Sequence, residues 1–197
     1  MNIESLFVSG MLVALAELGD KTQLLSLCLI CRFHKPIPII MGILFSTILN
    51  HAGAAYFGQM ITSTIGPDVL RWILGASFIA MAGWVLIPDR LDDVDVKRKG
   101  KGDIGIFITT FIAFFMAEMG DKTQLATIAL AAKYQAFMMV VIGSTIGMMI
   151  ANVPVVYFGK KIIATLPLPI IHRVVAALFV VIGVLVLVGD RLTFNHA

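Results

Sequence analysis

The chain has 197 residues, of which 59% are hydrophobic and only 14% charged, with a formal net charge of +3. A soluble domain is about 45–50% apolar and about 25% charged, so this composition excludes a disordered chain, a nucleic-acid-binding domain and an ordinary cytosolic enzyme. Two cysteines cannot build a disulfide framework, and a mean hydropathy of +0.95 points to a polytopic membrane protein.

The hydrocarbon core of a bilayer takes about 20 apolar residues in helical form. Runs of that length predict an all-α membrane protein of six transmembrane helices: Leu6–Ile30, Ile37–Met60, Val69–Ile87, Ile104–Ala131, Phe137–Gly159 and Ile170–Gly189. The breaks between them hold Pro, Gly and charges, as in Arg32-Phe33-His34-Lys35-Pro36, Gly66-Pro67-Asp68 and the stretch Asp89–Asp103, which close helices and avoid hydrocarbon. Met1–Ser5 carries no basic residue, so the first run reads as a retained span and not as a signal peptide. With Lys21 and Lys122 set aside inside spans, ten basic residues fall on one side: Arg32, Lys35, Arg90, Lys97, Arg98, Lys99, Lys101, Lys160, Lys161 and Arg173. Arg71, Lys133 and Arg191 fall on the other. The positive-inside rule then places the ten in the cytoplasm and both termini outside it.

The chain repeats itself. Ala16-Glu17-Leu18-Gly19-Asp20-Lys21-Thr22-Gln23-Leu24 returns 101 residues later as Ala117-Glu118-Met119-Gly120-Asp121-Lys122-Thr123-Gln124-Leu125. The same offset carries Gly42 to Gly143, Tyr56-Phe57-Gly58 to Tyr157-Phe158-Gly159, and Asp89-Arg90-Leu91 to Asp190-Arg191-Leu192. The organisation is therefore a first three-span repeat over 1–88, a charged cytoplasmic linker over 89–103 and a second three-span repeat over 104–197. An odd number of spans per copy inverts the second copy relative to the first, an arrangement that recurs in secondary transporters with the substrate site near the midplane.

Glu17, Asp20, Glu118 and Asp121 lie deep within the first and fourth predicted spans. An ionised side chain there costs at least about 2.5–3.5 kcal/mol on insertion scales, and such groups mark functional sites. Glu and Asp at i and i+3 project from one helical face, and the inverted repeat brings the two faces to one centre of four carboxylates. Oxygen donors of this kind suit hard divalent cations such as Ca²⁺, Mg²⁺ and Mn²⁺. Thr22, Gln23, Thr123 and Gln124 are supporting candidates, supplying neutral oxygens or hydrogen bonds to the acids. Gly19 and Gly120, between the acids, allow close helix approach or local unwinding. Lys21 and Lys122 stand i+4 from Glu17 and Glu118 and suit intrahelical ion pairs. Fully ionised, the four acids and two lysines sum to −2, the charge one divalent ion balances. Crowded carboxylates in a low dielectric bind protons in competition with metal, so proton-coupled exchange follows.

Asn50 and His51 in the second span and Asn152 in the fifth are further candidates to complete the shell, or to hydrogen-bond a neighbouring helix. Ser46, Thr47, Ser144 and Thr145 read as small packing positions. Cys28-Leu29-Ile30-Cys31 has only His34 nearby, short of the four ligands of a structural zinc site, and reads as apolar filler. Met119 offers a thioether inside the second motif. No Ser/His or Cys/His constellation lies in the spans, which argues against an intramembrane enzyme.

The two hexapeptides Glu17-Leu18-Gly19-Asp20-Lys21-Thr22 and Glu118-Met119-Gly120-Asp121-Lys122-Thr123 resemble the hallmark of uncharacterised protein family 0016, two copies of Glu-apolar-Gly-Asp-Lys/Arg-Thr/Ser. That family includes Golgi calcium and manganese transporters and bacterial manganese exporters, and the likeness to the bacterial exporters is especially close. The resemblance covers essentially the whole chain. It implies cation/proton antiport of Mn²⁺ or Ca²⁺, with Glu17, Asp20, Glu118 and Asp121 as the ion site and Lys21 and Lys122 as motif partners. The expectation is thus an inner-membrane Mn²⁺ exporter working by alternating access, with a Ca²⁺/H⁺ exchanger as the near alternative and a divalent cation channel as a more distant one. The expected partners are the lipid bilayer, the cation and protons, with no nucleic acid and no resident cofactor.

Overall fold

A computed structural model describes residues 3–87, 102–159 and 167–193. Its described residues form eight helices: α1 (Ile3–Ala16), α2 (Lys21–Phe33), α3 (Pro36–Thr64), α4 (Pro67–Val85), α5 (Gly102–Glu118), α6 (Lys122–Tyr134), α7 (Phe137–Phe158) and α8 (Leu168–Thr193). Adding 101 to the limits of α2 gives 122 and 134, the limits of α6, and adding it to the start of α3 gives 137, the start of α7. The sequence duplication is therefore also a duplication of helices, four per copy.

The predicted spans Leu6–Ile30 and Ile104–Ala131 are each broken in two, at Glu17–Asp20 and at Met119–Asp121. Hydropathy alone does not see the cause, which is in the backbone. Gly19 and Gly120 take φ of +82° and +72°, a left-handed conformation that glycine enters without steric cost. Asp20 and Asp121 follow in extended conformation as helix N-caps. The axis of α6 is turned 72° from that of α5. By length and composition α3, α4, α7 and α8 are able to cross a membrane, and the bent pair α5–α6 makes a fifth span when counted as one. The six-span count exceeds this because α1 is a short apolar helix and the charged motif separates it from α2.

The copies interlock. α1 packs on α7 and α5 on α3, the equivalent pair under the repeat; α2 lies against α7 and α6 against α3; α4 pairs with α8, where the rings of Phe78 and Phe179 lie 6.1 Å apart. The α1–α7 contact is closest where small residues remove the side-chain layer, as membrane helices commonly arrange. A Cβ added at Gly147 would collide with the Gly10 carbonyl, and one at Gly143 with the Leu6 carbonyl. Gly147→Ala should therefore destabilise the protein by about 1–3 kcal/mol, the usual cost of overpacking. Gly53→Ala, where an added Cβ meets nothing, should be close to neutral. Thermal unfolding in detergent checks the pair, and equal melting temperatures would contradict the packing argument.

Contacts at the helix ends link the copies in the same sense. Lys35, at the α2–α3 junction, pairs with Asp103 at the start of α5 at 2.5 Å. Tyr134, at the end of α6, donates to Glu4 at the start of α1 at 3.1 Å. Of the cytoplasmic basic residues read from the sequence, Arg90, Lys97, Arg98, Lys99, Lys101, Lys160 and Lys161 lie outside the described residues, as does most of the 89–103 linker.

Candidate metal centre

Each break in the duplicated helix is built by five successive residues. Asp20 is the N-cap of α2, its carboxylate accepting from the Thr22 amide at 3.5 Å. The Gln23 side-chain oxygen reaches back to the Gly19 amide at 2.9 Å, and Gln124 does the same for Gly120 at 2.7 Å. An acidic cap with a glutamine three residues on, reaching backward, is a variant of the capping box. Asp-Lys-Thr-Gln is thus a helix start signal set in the middle of an apolar run. It satisfies amides that the break exposes while pointing the acids inward. The two glutamines proposed as oxygen donors have their oxygens engaged in this cap.

The breaks deliver the acids to one place. Glu17, Asp20 and Glu118 are fully buried and Asp121 is 1% exposed. Carboxylate oxygens of Glu17, Asp20 and Asp121 all lie within 4.8 Å of one another, so both repeats contribute to a single acidic cluster. Glu118 stands beside this trio, held from α3: Thr47 donates to its Oε1 at 3.2 Å, Asn50 Nδ2 lies 3.4 Å from Oε2, and His51 Nε2 is 3.9 Å from the same oxygen. Thr22 donates to Glu17 Oε2, while Glu17 Oε1 is buried with no hydrogen-bond partner among the described residues.

The lysines reach across and not only along the chain. Lys21 Nζ lies 2.9 Å from Asp121, and Lys122 pairs with Asp20. The expectation of pairs within one helix misses this, because i, i+4 spacing exposes only same-helix options and both lysines follow a break. The cross-pairs tie each motif to the other. They differ in setting: the Lys122 side chain is 2% exposed and that of Lys21 is 25% exposed.

The polar residues of the flanking helices divide. Thr47, Asn50 and His51, at i, i+3 and i+4, present one face of α3 to Glu118. Thr47, read from the sequence as packing, instead hydrogen-bonds one of the buried acids, and its spacing to Asn50 and His51 is the signal for it. Asn152 on α7 is engaged otherwise: its Oδ1 accepts from Ser26 at 2.8 Å and its Nδ2 lies 3.0 Å from the Met148 sulfur. Gln23 Nε2 donates to the Ala151 carbonyl at 2.8 Å. Met119, Cys28 and Cys31 are exposed, whereas the four acids are buried.

Apolar helices, broken where a buried, two-copy acidic cluster sits, fit the class of membrane proteins that handle cations. The comparisons make this specific. A family model described as divalent cation/proton antiporter GDT1 matches residues 5–93 and 106–193, and the chain belongs to that family. It is 50% identical over 180 residues to a Vibrio cholerae protein named "Putative manganese exporter", covering 90% of this chain and 88% of that one. A GDT1-like protein of Synechocystis is 30% identical over 171 residues, 78% of this chain and 82% of its own. GDT1-like protein 3 of Oryza sativa subsp. indica is 26% identical over 168 residues, 73% and 59% respectively. No solved structure gives a significant match. The family is one of transporters, and divalent cations are its substrates.

Proposed function

We propose that this chain exports Mn²⁺ from the cytoplasm of a bacterium, across the inner membrane, in exchange for protons. The observation that carries the reading is the meeting of Glu17, Asp20 and Asp121 oxygens within 4.8 Å at a buried point between two repeats. Three carboxylates with Glu118 alongside and two lysines bring the centre to −2, which one divalent cation neutralises. When the ion leaves, protons take its place, because the carboxylate charge beyond what the two lysines balance is costly in a low dielectric. Competition between ion and proton for one set of oxygens is the chemical content of antiport.

In this reading the two copies are inverted, each broken pair completes a span, and the site becomes accessible alternately from the two sides. Inverted repeats with discontinuous helices at the midplane are the common design of such transporters. The end contacts agree with the assigned sides: Lys35 and Asp103 both belong to the cytoplasmic face, and Glu4 and Tyr134 both to the outer one. The repeats then correspond to 1–88 and 104–197, joined by a cytoplasmic linker at 89–103, with both termini outside. The manganese preference draws on the name of the Vibrio cholerae relative. Carboxylate oxygens by themselves accept Ca²⁺ as readily.

Reconstituted in proteoliposomes, the protein should move Mn²⁺ at a rate that follows the imposed pH gradient, and the flux should fall steeply when an ionophore collapses that gradient. Flux indifferent to the gradient would indicate a channel. Ca²⁺ outcompeting Mn²⁺ at equal concentration would reverse the choice of ion.

A further inference from the structure

The four-acid centre is not symmetric. Under the 101-residue offset, Thr47, Asn50 and His51 of α3 correspond to Met148, Ala151 and Asn152 of α7. His51 is wholly buried, and neither ring nitrogen has a hydrogen-bond partner among the described residues. A buried imidazole with both nitrogens unsatisfied carries the desolvation cost of each polar group, which a structural role removes by finding it a partner. Its equivalent Asn152 does so, through Ser26 and Met148. His51 instead faces Glu118, with Nε2 at 3.9 Å from Oε2. Two donors on one small divalent ion, each roughly 2.0–2.2 Å from it, are at most about 4.4 Å apart. The separation fits a shared ion, and is too long for a hydrogen bond.

We propose that His51 is a nitrogen ligand of the transported ion, acting with Glu118 as one wall of the site and discriminating against Ca²⁺. This rests on the cation-transport reading given above. Ca²⁺ takes oxygen ligands, whereas an imidazole favours transition ions over the alkaline earths. One nitrogen placed among the carboxylates therefore supplies a preference that the carboxylates lack. Thr47 and Asn50 serve as positioning residues, fixing Glu118 so that its Oε2 faces His51.

The test is pulsed electron paramagnetic resonance of the purified full-length protein loaded with Mn²⁺, together with Mn²⁺ and Ca²⁺ flux in proteoliposomes. The wild-type protein should show the ¹⁴N coupling of a directly bonded imidazole. His51→Asn, which installs the residue that the second repeat carries, should lose that coupling and lower the Mn²⁺-over-Ca²⁺ flux preference about tenfold. His172→Asn should keep the coupling, because His172 Nε2 bonds the Leu18 carbonyl at 3.0 Å. Mn²⁺ bound to the wild-type protein through oxygen alone would overturn the inference, and that measurement needs no variant to fold. An unchanged flux preference in His51→Asn would overturn it as well. In either case Mn²⁺ flux by the wild type leaves the transport reading standing; a wild-type protein that neither binds nor moves Mn²⁺ would remove both.

Discussion

Asp20→Asn is expected to abolish Mn²⁺ transport and to destabilise the protein, and the two effects should come apart in a double variant. Asp20 is fully buried and pairs with Lys122, whose side chain is 2% exposed. Removing one member of a buried pair strands the other's charge, at a cost of about 3–5 kcal/mol. Glu17 also acts electrostatically on Lys122, so the loss should fall near the lower end, about 3 kcal/mol. Adding Lys122→Gln to Asp20→Asn removes the stranded charge and should recover most of the stability. It should not recover transport, because the site has lost one of the three clustered carboxylates. Thermal unfolding in detergent reads the first effect and proteoliposome flux the second. Wild-type flux in the double variant would show that Asp20 serves the fold and not the ion. Asp121→Asn should lose transport equally but cost less stability, since the Lys21 side chain is already 25% exposed.

This separation matters because the sequence alone could not distinguish the two roles. Two copies of Glu-x-Gly-Asp-Lys-Thr-Gln inside apolar runs announce a duplicated site, and the offset of 101 anticipates the equivalence of α2 with α6. The glycine between the acids correctly signals local unwinding. Hydropathy, however, counts side chains, and the breaks at Gly19 and Gly120 are set by two backbone dihedrals, so Leu6–Ile30 and Ile104–Ala131 read as continuous. The cross-pairing of Lys21 with Asp121 and of Lys122 with Asp20 depends on how the copies dock, which no spacing within a copy encodes. Thr47 reads as a packing position for a related reason. Its hydroxyl is unremarkable on an apolar helix until α5 places Glu118 opposite, although its i, i+3, i+4 relation to Asn50 and His51 already marks a polar face.

The same docking makes the two glutamates unequal, and a matched pair of substitutions measures the inequality. Glu17 contributes an oxygen to the cluster with Asp20 and Asp121, and its Oε1 has no hydrogen-bond partner among the described residues. Glu118 is drawn toward α3 by Thr47 and Asn50. A carboxylate oxygen that no donor engages gives more of its charge to the ion than one already accepting hydrogen bonds, because those bonds offset part of that charge. Glu17→Gln should weaken Mn²⁺ binding by about a hundredfold, equivalent to about 2.8 kcal/mol. Glu118→Gln, whose amide keeps an oxygen for Thr47 and leaves three carboxylates in place, should weaken it by about tenfold, or about 1.4 kcal/mol. Titration of Mn²⁺ into each purified variant, followed by calorimetry, gives both numbers on one scale. Equal losses would mean that the ion sits on the axis between the repeats, and a larger loss at Glu118 would move it to the α3 side. The predicted order instead reflects how much charge each carboxylate has left to give: Glu17 offers an oxygen that no donor among the described residues engages, while Glu118 completes the site from α3 with part of its charge already engaged by Thr47 and Asn50.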